Sequence, residues 1–203
     1  NFDNSFDTIT INGSTGAENI NGPNISSRIN GGDENDNIIA GTEDDNIFGD
    51  NGNDLLTGGA GNDTFNVNAG TDTIIDLSTG DILIVSSSAT ANATNISSFV
   101  ATSSTTNAGT ANLSTQASGG TINMSSAGSS TTFSLTGGNG ADNLTGDGGD
   151  DTITGGGGAD NLTGGAGNDT FNVNAGTDTI TDLSTGDILV VSSSATANAT
   201  NIS

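Results

Sequence analysis

Residues 137–172 read GGNGADNLT-GDGGDDTIT-GGGGADNLT-GGAGNDTFN, four blocks of nine residues without a slip. An acid stands at position six of each block: Asp142, Asp151, Asp160 and Asp169. A large apolar residue stands at position eight: Leu144, Ile153, Leu162 and Phe171. Such a period suits neither a helix nor an ordinary hairpin. It suits six residues of turn followed by a strand of three, of which only the middle residue points inward. Glycines let the turn backbone adopt positive φ and curl around something small. One inward side chain per strand is too little to hold a fold, so many such strands must stack. The expected architecture is all-β, a parallel solenoid.

The frame extends outward from this stretch. It runs on to 173–181, and an earlier array holds it from residue 13 to 75 in seven blocks. Position eight is Ile20, Ile29, Ile38, Ile47, Leu56, Phe65 and Ile74 there, and Ile180 closes the second array. Position six is Asp36, Asp45, Asp54, Asp63 and Asp72, with Asp178 in the second array; Glu18 and Ser27 are the exceptions. Position four is Gly except at Ile25, Glu34 and Glu43. A longer period of 106 residues lies over this one: 57–97 and 163–203 differ only at Ile75 against Thr181 and Ile84 against Val190. The second copy reaches Ser203 where the first continues into Ser98-Phe99-Val100, so the natural protein is expected to run on as a tandem array.

Composition narrows the chemistry. The chain has 203 residues, 32 of them glycine, and 24 acids against the single base Arg28, a formal net charge of −23. Disorder is the ordinary reading of such charge with few aromatics, but disorder predicts no register. The absence of Cys and His removes thiol chemistry, the commonest general base and the usual zinc donors. One Arg and no Lys cannot neutralise a phosphate backbone, so no nucleic-acid partner is expected. No apolar run of about 18 residues occurs, so no membrane insertion is expected. Catalysis is not expected, which leaves a cation partner or a structural role.

With these residues in hand, the chain resembles the repeats-in-toxin family, whose consensus is G-G-x-G-x-D-x-U-x with U apolar. The resemblance is close over 31–75 and 137–181 and loose over 13–30, where Glu18, Ser27, Pro23 and Arg28 depart from the pattern. It implies a parallel β-roll in which two nonapeptides form one 18-residue coil, with turns stacked about 4.8 Å apart. Asp54 would then lie above Asp36, Asp63 above Asp45, Asp72 above Asp54, Asp160 above Asp142, Asp169 above Asp151 and Asp178 above Asp160. Main-chain carbonyls near Gly52, Gly61, Gly140, Gly149, Gly158 and Gly167 would complete each metal shell. Carboxylates with many carbonyls make a hard, all-oxygen shell that suits calcium better than magnesium or zinc. Stacked carboxylates without a cation between them would repel. Six stacks imply about six calcium ions, or about +12 of charge against the −23.

Five segments follow. Residues 1–12 form a leading strand, 13–85 a first roll with closing strands, and 86–136 a Ser/Thr/Ala/Asn-rich β insert or linker. Residues 137–191 form a second roll with closing strands, and 192–203 begin the next insert. The closing segments, GTDTIIDLSTGDILIV (70–85) and GTDTITDLSTGDILVV (176–191), suggest two strands around a Ser-Thr-Gly turn. Asp76, Asp81, Asp182 and Asp187 read equally as late calcium ligands or as turn formers. The expected function is a calcium-binding structural or adhesive segment of a secreted bacterial surface protein, such as a surface layer, fibre or large adhesin. It would fold on calcium outside the cell after export through a type I channel, and would self-associate. The alternative is the calcium-binding tail of a secreted protease or lipase, although no H-E-x-x-H or G-x-S-x-G occurs here.

Overall fold

In the computed structural model, which describes residues 9–128 and 131–200, 22 strands alternate with tight turns. No helix occurs among the described residues, so none is long and apolar enough to cross a membrane. Every strand pair is parallel, and the strands sort into three sheets.

The long sheet has ten strands: β2 (Asn19–Asn21), β4 (Asn37–Gly41), β6 (Leu55–Gly59), β8 (Gly70–Ile74), β10 (Ala89–Ile96), β13 (Thr110–Thr115), β15 (Phe133–Thr136), β17 (Thr152–Thr154), β19 (Thr170–Val173) and β21 (Ile188–Val191). Facing its first half is a sheet of β1 (Ile9–Asn12), β3 (Ser27–Gly32), β5 (Asn46–Asp50), β7 (Thr64–Val67), β9 (Ile82–Val85) and β12 (Thr106–Asn107). Facing its second half is a sheet of β11 (Ser98–Val100), β14 (Thr121–Asn123), β16 (Asn143–Thr145), β18 (Asn161–Thr163), β20 (Gly176–Ile180) and β22 (Ala195–Ala199). The result is a parallel β-solenoid of about ten turns. Within both arrays each coil spans 18 residues, as in the pairs Ile38↔Leu56, Ile47↔Phe65 and Leu144↔Leu162.

The core is a pair of ladders, one rung per strand. Along the long sheet the rungs run Ile20, Ile38, Leu56, Ile74, Ala93, Leu113, Leu135, Ile153, Phe171 and Leu189. From Ile38 to Phe171 they are fully or almost fully buried. Each large rung removed from water contributes on the order of 1.5–3 kcal/mol. This is the position-eight periodicity of the sequence turned through space.

The stretch 86–136 is part of the roll and carries the ladder across in longer coils. Its rungs are 19 to 23 residues apart: Ile74↔Ala93, Ala93↔Leu113, Leu113↔Leu135 and Phe99↔Ile122. One coil here has three strands, β10, β11 and β12, and at that point the facing sheet changes from the first to the second. The long sheet passes through unbroken.

This exchange displaces the two near-identical copies relative to each other. In the first copy β7 lies in a facing sheet and β8 in the long one. In the second, the corresponding β19 lies in the long sheet and β20 in a facing one. Of the leading segment, β1 is described and residues 1–8 lie outside the described residues. Of the last segment, β22 is described and 201–203 lie outside.

Candidate metal centre

The ten position-six aspartates, Asp36, Asp45, Asp54, Asp63, Asp72, Asp142, Asp151, Asp160, Asp169 and Asp178, are each no more than 3 % exposed. A turn of polar backbone ends in a strand whose next inward residue is a core rung. The acid two places earlier is therefore drawn inside the coil edge. There each carboxylate makes the same bond: its Oδ1 accepts a main-chain N–H from the coil before. Asp36 N–H donates to Asp54 at 2.8 Å, Asp54 to Asp72 at 3.1 Å, and Asp45 to Asp63 at 2.9 Å. Asp142 donates to Asp160 at 2.9 Å, Asp160 to Asp178 at 3.1 Å, and Asp151 to Asp169 at 2.8 Å. The structure thus brings together all six expected pairs.

The second oxygen is the informative one. Oδ2 of Asp36, Asp45, Asp54, Asp72, Asp142, Asp160 and Asp178 is buried and has no hydrogen-bond partner. These atoms gather around the glycine at position one. A Cβ on Gly49 would lie 2.5 Å from Asp54 Oδ2 and 2.7 Å from Asp72 Oδ2. On Gly155 it would lie 2.7 Å from Asp160 Oδ2 and 2.9 Å from Asp178 Oδ2. The missing side chain leaves a small cradle facing two carboxylates.

The position-four glycines stand where a carbonyl of the coil below presses close. A Cβ on Gly52, Gly61, Gly140, Gly149, Gly158 or Gly167 would meet the main-chain oxygen of Glu34, Glu43, Ser118, Thr131, Gly140 or Gly149, respectively, at 1.9–2.7 Å. Gly158 has φ +122° as well, a backbone that an L side chain rarely adopts.

A buried carboxylate with one bare oxygen is costly in water-free surroundings. Burial first, then neighbouring carboxylates, pushes Asp63, Asp72 and Asp151 up to about 7, and Asp160 and Asp169 to about 6. Asp36, Asp45, Asp54 and Asp178 are raised too, chiefly by burial. Such groups are relieved by a proton or by a cation. Every side chain available to a metal here is a carboxylate, and the remaining donors are carbonyls, so the set fits a hard cation of calcium's size and loose geometry. No group of three or more metal-binding side chains occurs among the described residues. Main-chain carbonyls therefore have to supply the rest of any shell.

The closing acids are placed differently. Asp76 accepts from Gly58 and Gly59 N–H at 3.0 and 2.8 Å, and Asp182 from Gly164 and Gly165 at 3.0 and 2.7 Å. Asp81 and Asp187 each cap their own turn through Ser78 and Ser184 N–H, both at 2.7 Å. They also accept from Asp63 and Asp169 N–H at 2.9 Å, which extends the aspartate ladders by one rung. The sequence carries the signal: Asp81 falls 18 residues after Asp63, and 76–84 is a further block in phase. Three of the four ladders stand on residues that are not acids, and the fourth stands on Glu18. Glu18 N–H donates to Asp36, and Ser27 donates to Asp45 through both N–H and hydroxyl. Thr115 hydroxyl and Gly120 N–H donate to Asp142, and Phe133 N–H to Asp151. Asp147, a buried acid at position two, had no place in the consensus reading.

Fold and ladder together define a parallel β-roll whose turns offer paired carboxylates and carbonyls to a cation. The family model for the RTX calcium-binding nonapeptide repeat matches four stretches, 30–65, 39–74, 136–171 and 145–180. The two arrays, 30–74 and 136–180, belong to that family: they are RTX repeats, which bind calcium and are typical of secreted bacterial proteins. No curated protein and no solved structure matches the chain.

Proposed function

We propose that this chain is a calcium-dependent structural or adhesive segment of a secreted bacterial surface protein, without catalytic activity of its own. The observation that carries the calcium dependence is the set of buried, partnerless Oδ2 atoms on Asp36, Asp45, Asp54, Asp72, Asp142, Asp160 and Asp178. One ion between each of the pairs 36/54, 54/72, 45/63, 142/160, 160/178 and 151/169 gives roughly six ions. Where calcium is scarce the carboxylates repel and the coil edges stay open. In the calcium-rich medium outside the cell, binding energy becomes folding energy. Export through a type I channel suits a chain that folds only after transit. The near-identical 106-residue copies suit building by repetition, and a chain without His, Cys or Lys is poorly equipped for catalysis. A catalytic domain elsewhere in the full gene would favour the second reading, the calcium-binding tail of a protease or lipase.

The test is far-UV circular dichroism and calorimetry on chelated protein as calcium is restored. The strand signal and melting temperature are expected to rise together and to saturate. A signal indifferent to calcium would overturn the proposal. Electron microscopy of calcium-loaded protein tests self-association into a filament or lattice, and uniformly single particles at high concentration would refute that part.

A further inference from the structure

The turn 146–151, Gly-Asp-Gly-Gly-Asp-Asp, sits at the foot of the second array, directly on the insert. Higher in the arrays a position-six acid stacks on the acid of the coil below, whereas Asp45, Asp142 and Asp151 stand on residues that are not acids. Beneath Asp151 the register position is Phe133, whose N–H donates to Asp151 Oδ1 at 2.7 Å. An ion between Asp151 and the insert would therefore lack its second carboxylate. Asp147 supplies one from the same turn. It is only 8 % exposed, and its N–H donates to Asp151 Oδ2 at 2.9 Å. Gly149 N–H donates to its Oδ1 at 2.9 Å, which ties the carboxylate back to its own turn. Its Oδ2 is buried and partnerless.

A turn-forming role accounts for Oδ1 alone, and Asn or Ser would serve it without burying a charge. The other oxygen is left over. Asp50 occupies the same position two in the first array and gives the contrast: it is only half-buried and carries no buried, partnerless oxygen.

We propose that Asp147 creates an additional calcium site at the junction of insert and second array, with Asp151 and main-chain carbonyls as co-ligands. This rests on the calcium reading of the arrays and adds to it an ion outside the position-six pairs. The site ties the second array to the last coil of the insert, where Gly149 lies against Thr131 and Asp151 over Phe133. Its chemistry is that of a divalent, oxygen-loving cation.

The experiment is equilibrium dialysis of the full chain against radioactive calcium, counting ions bound at saturation. The wild type, Asp147→Gly, Asp147→Asn and Asp50→Gly are compared. Both Asp147 variants are expected to bind one ion fewer, and Asp50→Gly the same number as wild type. Asp147→Asn keeps an oxygen for Gly149 N–H, so it decides the matter if Asp147→Gly fails to fold. An unchanged count in Asp147→Asn would overturn the proposal while leaving the arrays' calcium binding intact. A wild type that bound no calcium would remove the underlying reading instead.

Discussion

At Asp160 two roles meet in one side chain. Oδ1 accepts the N–H of Asp142, and Oδ2 is left for a cation. Asp160→Asn separates them, since an amide oxygen still accepts the N–H but its NH₂ cannot ligate a metal. That variant is expected to lose the ions on both sides of it and to weaken calcium binding by about tenfold or more, read by titration calorimetry. A full complement of ions would contradict the assignment. The pH response follows from the same burial. In the calcium-free chain Asp63, Asp72 and Asp151 titrate near 7 when folded, against 3.8 as the ordinary value. Between those limits the folded state holds protons that the unfolded state has released. Stability without calcium therefore falls as pH rises from about 4 to about 7 and stays low above that. Chelated protein is expected to melt higher at pH 5 than at pH 7.5, and a flat or opposite trend in circular dichroism would refute it. Calcium affinity should move the other way, rising with pH as protons cease to compete. Asp147 shows where residue-level legibility stopped. Position two is Gly in the consensus, so nothing in the pattern marked an acid there as buried.

The strands of the arrays were the most legible elements, because a nine-residue period leaves one inward position and fixes the pairing at 18. Phe171 and Ile153 are adjacent rungs of that kind. Phe171→Ala should cost about 3–5 kcal/mol, the usual penalty for emptying an aromatic site in a tight core. A drop in calcium-loaded melting temperature reads it, and a silent substitution would mean the rung is not packed as described. The turns respond to a smaller change. Gly155→Ala puts a methyl group within 2.7 Å of Asp160 Oδ2 and 2.9 Å of Asp178 Oδ2, so it is expected to impair calcium binding on that edge while the other edge still binds. The insert was hard to read for a physical reason. Its coils vary in length, one has three strands, and several inward positions are small or polar, such as Ala91, Ala93, Thr105 and Asn107. With no large residue returning at a fixed interval, strand and linker look alike in sequence. Short alternations over 110–114 and 121–125, and Leu135 still in the nine-residue phase, are what point to continuity.

On the scale of the whole molecule the insert acts as a splice between two calcium-dependent arrays. It has no acids of its own between 86 and 130, yet its strands pair with array strands on both sides. Hydrogen exchange should therefore find the amides of Ala91, Leu113 and Leu135 protected in calcium and exposed after chelation, together with the arrays. Fast exchange in calcium would mark a linker. The exchange of facing sheets at this splice has a further consequence. From β6 to β18, corresponding strands of the two copies, the chain completes five and a half coils. The second copy is thus turned half-way round the roll axis and raised by about 26 Å at the usual strand spacing. Their relation approximates a two-fold screw. Whatever outward surface the shared sequence presents, a molecule that recognised it would find it on opposite sides of one roll, like leaves set alternately on a stem.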